Sequence, residues 1–232
     1  MRHVRRHGMT FLALALLVGS VAAFAYTERL KLERSPVERT RFDRWLSPTC
    51  SCPGEAAALS FVLREPERID VTVVDGGETV RTLAAGLRRP PGRVAFTWDG
   101  RDDAGQVVRD GDYRVRVRLR DERRTIVIPK EVHVDTKPPR ARLISVSPAL
   151  LAAGDRVRVR YRANEPARPV LLVDGELAAQ GRLRPPGARR LTWTARLGAV
   201  PLAPGPHEIA LAVEDRAGNR SAQTDPVTIV VT

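Results

Sequence analysis

Two cysteines, Cys50 and Cys52, stand either side of one serine, and that spacing limits what their thiols can do. In an extended chain their Cα atoms would sit about 6.5 to 7 Å apart, at the edge of disulfide range, so a bond between them demands a tight turn. Pro53 and Gly54 favour one. Pairing between two chains and free or metal-bound thiols stay open as alternatives, with zinc disfavoured because no second Cys or His pair lies nearby. Asp99, Asp102, Asp103, Asp110 and Asp112 crowd a second segment. Hard cations want several carboxylates, but this spacing is not that of an EF-hand loop, and Asp-Gly and Asp-Ala-Gly are ordinary turn formers, so no metal site is expected. Arg114, Arg116, Arg118 and Arg120 alternate with apolar residues, as do Arg156, Arg158, Arg160 and Arg162. On strands this puts each set on one outward face, able to contact an anionic polymer, although a solvated face needs polar residues there in any case. His3 and His7 precede the apolar N-terminal segment, and His133 and His207 lack local Ser or Cys partners. With no HExxH and no glycine-rich phosphate loop, neither an enzyme nor a cofactor is expected.

The elements that position these residues are short and repeat. Leu59 to Leu63, Ile69 to Val74, Val94 to Trp98 and Tyr113 to Leu119 alternate with the period of half-buried strands. The landmarks Glu65-Pro66, Asp75-Gly76, Pro90-Pro91-Gly92, Trp98, Gly111 and Asp121 return as Glu165-Pro166, Asp174-Gly175, Pro185-Pro186-Gly187, Trp193, Gly205 and Asp215, an offset of about 95 to 100 residues. One fold is used twice, as two tandem β-sandwiches, with Trp98 and Trp193 as equivalent core plugs. Second-half strands are expected at Ala141 to Val146, Arg156 to Tyr161, Val170 to Val173, Arg189 to Ala195, His207 to Glu214 and Val227 to Val231. Asp135 to Pro139 breaks the pattern between the halves, and its two prolines make a stiff joint.

Met9 to Tyr26 is uncharged and follows Arg2, Arg5 and Arg6. Eighteen residues at 1.5 Å each span about 27 Å, enough for the hydrocarbon of a bilayer. The arginines should hold that end in the cytoplasm and send the rest outside. A retained anchor is the expectation, and cleavage after Ala25, at Ala23-Phe24-Ala25, would instead release a secreted protein. Thr27 to Leu46 is charge-rich, with a spacing of Glu28, Arg29, Lys31, Glu33 and Arg34 that permits a short juxtamembrane helix, and reads as a stalk. Of the net charge of +12, the first 27 residues supply three arginines, and 12 − 3 leaves +9 on the rest. Only three residues are lysine, so 39 − 3 gives 36 arginines, a bias that GC-rich coding alone would produce and that weakens charge as evidence for an anionic partner.

The run Trp98-Asp99-Gly100, Gly105 and Gly111-Asp112-Tyr113, with Val80 to Leu83 and the Ser47-Pro48 entry, resembles the Ig-like domain of the flagellar hook-capping family over roughly residues 46 to 135. Glu214 to Ser221, containing Asp215-Arg216-Ala217-Gly218-Asn219, is similar to bacterial Ig-like repeats, although the second half lacks an Asp-Gly after Trp193. The Cys-Ser-Cys turn departs from the polar turn usual in that family. The resemblance implies two tandem Ig-like β-sandwiches, so the expected chain is all-β after one N-terminal transmembrane helix: the anchor read above over 1–27, the stalk with the Cys turn over 28–54, a hook-capping type Ig-like domain over 55–137 and a second Ig-like domain over 138–232. No segment resembles the hook-capping protein's own N-terminal region, so a flagellar role does not follow. The expected function is display and interaction at the cell envelope, with the membrane held through residues 9–26. The partner would be an envelope protein or an anionic wall polymer and no specific nucleic acid. An accessory subunit of an envelope enzyme or secretion machine is the rival.

Overall fold

Alternating strands bury every second side chain, and two sheets must face one another to hide them. The computed structural model describes residues 16–21, 24 and 35–232. It divides into Met1–Glu38 and Arg39–Thr232. In the first unit residues 16–21 are helical, with Leu16, Leu17, Val18 and Val21 exposed. Among the described residues no helix is long and apolar enough to cross a membrane. Most of the expected anchor, and all of the expected juxtamembrane helix, lie outside the described residues.

The second unit carries both sandwiches apart from Val37 and Glu38, the first two residues of β1. Residues up to 134 form β1 (Val37–Phe42), β2 (Trp45–Leu46), β3 (Ala57–Leu63), β4 (Glu67–Asp75), β5 (Glu78–Arg89), β6 (Gly92–Trp98), β7 (Gly111–Leu119) and β8 (Arg124–Val134). The rest form β9 (Ala141–Ser147), β10 (Leu150–Leu151), β11 (Arg156–Ala163), β12 (Arg168–Val173), β13 (Glu176–Gln180), β14 (Gly187–Thr194), β15 (Arg196–Leu197), β16 (Val200–Pro201), β17 (Gly205–Glu214) and β18 (Val227–Val231). The first sheet pair runs β1-β3-β6 and β2-β8-β7-β4-β5; the second runs β9-β11-β14 and β10-β18-β17-β12-β13. The two orders correspond strand for strand, including one parallel pairing in each, β2 with β8 and β10 with β18.

The repeat extends to single atoms. Trp98 closes β6 and its indole Nε1 donates to the Arg101 carbonyl at 2.9 Å; the indole of Trp193 does the same to Arg196 at 3.1 Å. Both rings are buried, so each indole N–H needs that internal acceptor. Phe61, Ile69, Val117 and Leu119 are also fully buried in the first sandwich. The second core gathers Val159, Tyr161, Leu171, Val173, Ile209, Leu211 and Ile229. Asp174 and Gly175, both at positive φ, make the tight turn between β12 and β13.

The stalk assignment over 28–54 needs correction, because β1 and β2 fall within it. The charge density of Val37–Phe42 is that of an edge strand, where polar side chains meet solvent, and it imitates a stalk in sequence. Leu46, in contrast, is fully buried. After Trp193 the second sandwich does turn a hairpin without Asp-Gly, the two-residue strands β15 and β16.

Candidate functional site

Of the crowded aspartates, Asp99 and Asp102 serve their own turn, while Asp103, Asp110 and Asp112 bond residues at least 21 positions away. Asp102 Oδ1 accepts the backbone N–H groups of Ala104 and Gln106 at 2.9 and 2.8 Å. Asp103 accepts from Thr82 N and Oγ1, and the backbone bond holds its carboxyl below the usual range. Asp99 accepts from Arg101 N. Burial works to raise the Asp110 carboxyl, but bonds from Lys137 and Thr136 outweigh it and hold it low. Asp112 instead meets His133, with Glu131 beside the pair. His207 Nδ1 lies 2.6 Å from Asp174 Oδ2. That bond raises the imidazole and lowers the carboxyl. The two histidines therefore sit in different sandwiches, each engaged with an aspartate at a strand end.

Cys50 and Cys52 are joined, with Cα atoms 5.1 Å apart and Ser51 between them at φ +48°. This contraction relative to the extended spacing comes from a turn in which Cys50 N–H donates to the Ser47 carbonyl and Glu55 N–H to that of Cys52. The closed turn abuts the second sandwich. Cys52 Sγ lies 3.9 Å from the Ala217 carbonyl oxygen, a packing contact, since a disulfide sulfur carries no proton to donate. Gly54 and Gly218 allow the approach: a Cβ on Gly54 would stand 2.6 Å from Ala217 O, and one on Gly218 would collide with Cys52 Sγ.

Polar bonds finish this joint. Buried Ser47 Oγ donates to Asn219 Oδ1 at 2.5 Å, and Asn219 Nδ2 reaches the Asp135 carbonyl and Asp215 Oδ2 at 2.8 and 2.9 Å. Asn219, which the sequence offers as a glycosylation sequon with Arg220 and Ser221, is buried and occupied here. The Arg216 guanidinium lies 5.4 Å from the ring centroid of Trp45, whose other neighbour is the His133 ring at 4.7 Å. Sequence reasoning singled out neither Ser47 nor Trp45 as a joint residue. Ser47 entered only as part of a domain entry, and its partner is 172 positions away.

Carboxylates of Asp135, Glu165 and Asp215 converge at the same joint, with oxygens within 4.8 Å of one another. Burial raises the Glu165 carboxyl, and the charges of Asp135 and Asp215 push it further. Burial also raises Asp215, against hydrogen bonds from Asn219 and Gly218 that favour its ionised form. Repulsion is therefore built into the joint beside its attractive contacts.

The two arginine stripes have different surroundings. Arg114 pairs with Glu131 at 2.6 Å and Arg120 with Asp70 at 2.7 Å, and the Arg120 bond is the main cause of the low Asp70 carboxyl. Arg116 reaches the Gly77 carbonyl, and Arg118 stands across from Asp70 in the sheet register. On β11, Arg156, Arg158, Arg160 and Arg162 are all exposed and face outward. Arg158 and Arg160 border a groove of about 800 Å³ with Ser145, Ser147, Arg189 and Arg190.

Residues 53–122 match the FlgD Ig-like domain family. The hook-capping resemblance of the first sandwich is thereby shown for that segment. No curated protein matches the chain. Among solved structures, the fibronectin(III)-like modules of Clostridium thermocellum CbhA align over 84% of this chain and 94% of their own at 18% identity, with a TM-score of 0.44. The human OSCAR ligand-binding domain aligns over 84% and 100% at 18% identity and 0.36. The D0-D1 domain of intimin aligns over 84% and 98% at 13% identity and 0.33. Likenesses this remote transfer neither partner nor activity.

Proposed function

We propose that this protein is a non-enzymatic structural or interaction module of the bacterial cell envelope, held to the cytoplasmic membrane by residues 9–26 and displaying its two sandwiches outside. The observation that carries the reading is the disulfide-closed turn seated in the joint, because structural disulfides persist in oxidising compartments. The uncharged segment after Arg2, Arg5 and Arg6 supports the orientation. A non-catalytic role is supported by the partners of His133 and His207, which among the described residues include no Ser, Thr or Cys that either ring could activate. The match of residues 53–122 to an Ig-like family agrees with display, though folds of this kind serve many functions.

Protease added to intact spheroplasts should remove both sandwiches, and the protein extracted from membranes should have the mass of the unprocessed chain. Protection from protease would overturn the external location. A mature N-terminus at Tyr26 would keep the location and replace the anchor by secretion.

A further inference from the structure

The sheet β9-β11-β14 contains no Asp or Glu in any of its three strands. Its outward positions carry Arg142 on β9, Arg156, Arg158, Arg160 and Arg162 on β11, and Arg190 on β14. Arg162 stands directly across from Arg142, and Arg160 from Arg190, arrangements that cost stability because like charges face each other. Among the described residues none of these six is in an ion pair. The first stripe has Arg114 and Arg120 paired with carboxylates and Arg116 bonded to a carbonyl, whereas on this face none of the six has a carboxylate partner.

We propose that this face binds a linear polyol-phosphate chain of the cell envelope, laid along β11. The guanidinium fork matches a phosphate bidentately, and an array of such groups needs phosphates at matching intervals. Outward residues on one strand recur about every 6.7 Å, two residues or six backbone bonds apart. A glycerol-phosphate repeat also spans six backbone bonds, so an extended chain keeps step with the stripe. The groove is lined by small residues, Ser145, Ser147 and Ala188, together with arginines. Arg189 is held at its rim by bonds to the Ala188 and Pro186 carbonyls. Nucleic acid is the poorer fit, because single strands bind by stacking bases on aromatic rings, and the aromatic residues of this sheet, Tyr161 and Trp193, point into the core. A bilayer is also poorer, since a groove receives a chain better than a plane, and Ile144 is the only large apolar side chain exposed on these strands.

The proposal takes the source of the polymer from the external location above, but the binding is a property of the face. The test is binding of purified full chain, in neutral detergent, to polyglycerol-phosphate teichoic acid. Affinity should fall steeply with salt, by a log–log slope of roughly 0.7 for each phosphate neutralised, because its condensed counterion is released. Arg158→Gln with Arg160→Gln should weaken binding about tenfold or more, while Arg116→Gln with Arg118→Gln in the other sandwich should stay within about twofold. Thermal melts check that each variant is folded, and Arg142→Gln with Arg190→Gln, on the flanking strands, replaces the first pair should it fail. Equal losses from both sandwiches would reduce the effect to net charge and overturn the proposal. So would absent binding, or equal affinity for oligo-dT or anionic vesicles. Since purified protein is used, failure here leaves the external location standing, and protease protection leaves a positive result standing.

Discussion

At the scale of single residues, the chain places ionisable groups where their titration is felt. Glu165 has a folded pKa raised by burial and by its acidic neighbours, so its contribution to stability is full below its unfolded value and is lost as pH rises through the folded one. Glu165→Gln should therefore stabilise the protein at neutral pH by about 1 kcal/mol or less, with the gain vanishing near pH 4, as measured by urea melts at both pH values. His207 has the same sign for a different reason, since its raised pKa comes from the bond to Asp174. The bond adds stability below the unfolded imidazole value of about 6.5 and loses it as pH rises through the higher folded value. His207→Gln should then cost most near pH 6, a few tenths to about 1 kcal/mol, and little near pH 9. A cost independent of pH would mean that the ring acts only by packing. Asp99 and Asp102 were legible as turn formers because their bonding reaches only a few residues along the chain, whereas the partners of Asp103, Asp110 and Asp112 lie 21 or more positions away and were not.

Among elements, the turn from Ser47 to Glu55 connects local chemistry to distant packing. Gly54→Ala should not disturb its own sandwich, since no positive φ is required there, but the added methyl would meet the Ala217 carbonyl. A cost of about 1 to 3 kcal/mol is expected, appearing as faster proteolysis of the Asp135–Arg140 connection while the tryptophan fluorescence of both cores stays native. Replacing Cys50 and Cys52 together by Ser should cost about 1.5 kcal/mol from the short closed loop and loosen the same connection. Loss of stability without faster cleavage would detach the disulfide from the joint. Strand positions were legible because alternation is a two-residue pattern, as in Arg156–Ala163. β1 was not, because Val37–Phe42 places charges where an edge strand meets water, which in sequence looks like a solvated stalk.

On the scale of the whole molecule, the joint decides whether the two sandwiches behave as one body. Ser47, Asn219 and the Asp135 carbonyl form one buried set of bonds, and Arg216 lies over Trp45. Calorimetry should show a single unfolding transition, which Asn219→Ala should split in two, since removing the amide strands buried partners at a cost of about 1 to 3 kcal/mol. Two transitions in the unmutated protein would mean that the joint transmits no stability. The sequence by itself determined the all-β class, the repeat and the places of Trp98 and Trp193, because each is written in short-range periodicity or in landmarks that recur at one offset. It also supplied both arginine stripes as outward faces. Only the tertiary structure decided which stripe has carboxylate partners, since Glu131 and Asp70 pair with Arg114 and Arg120 of the first while β9 and β14 bring further arginines to the second. The joint was hidden for the same reason: its contacts join residues more than 80 positions apart, and nothing local in Cys-Ser-Cys or Asp-Arg-Ala-Gly-Asn records that one packs on the other.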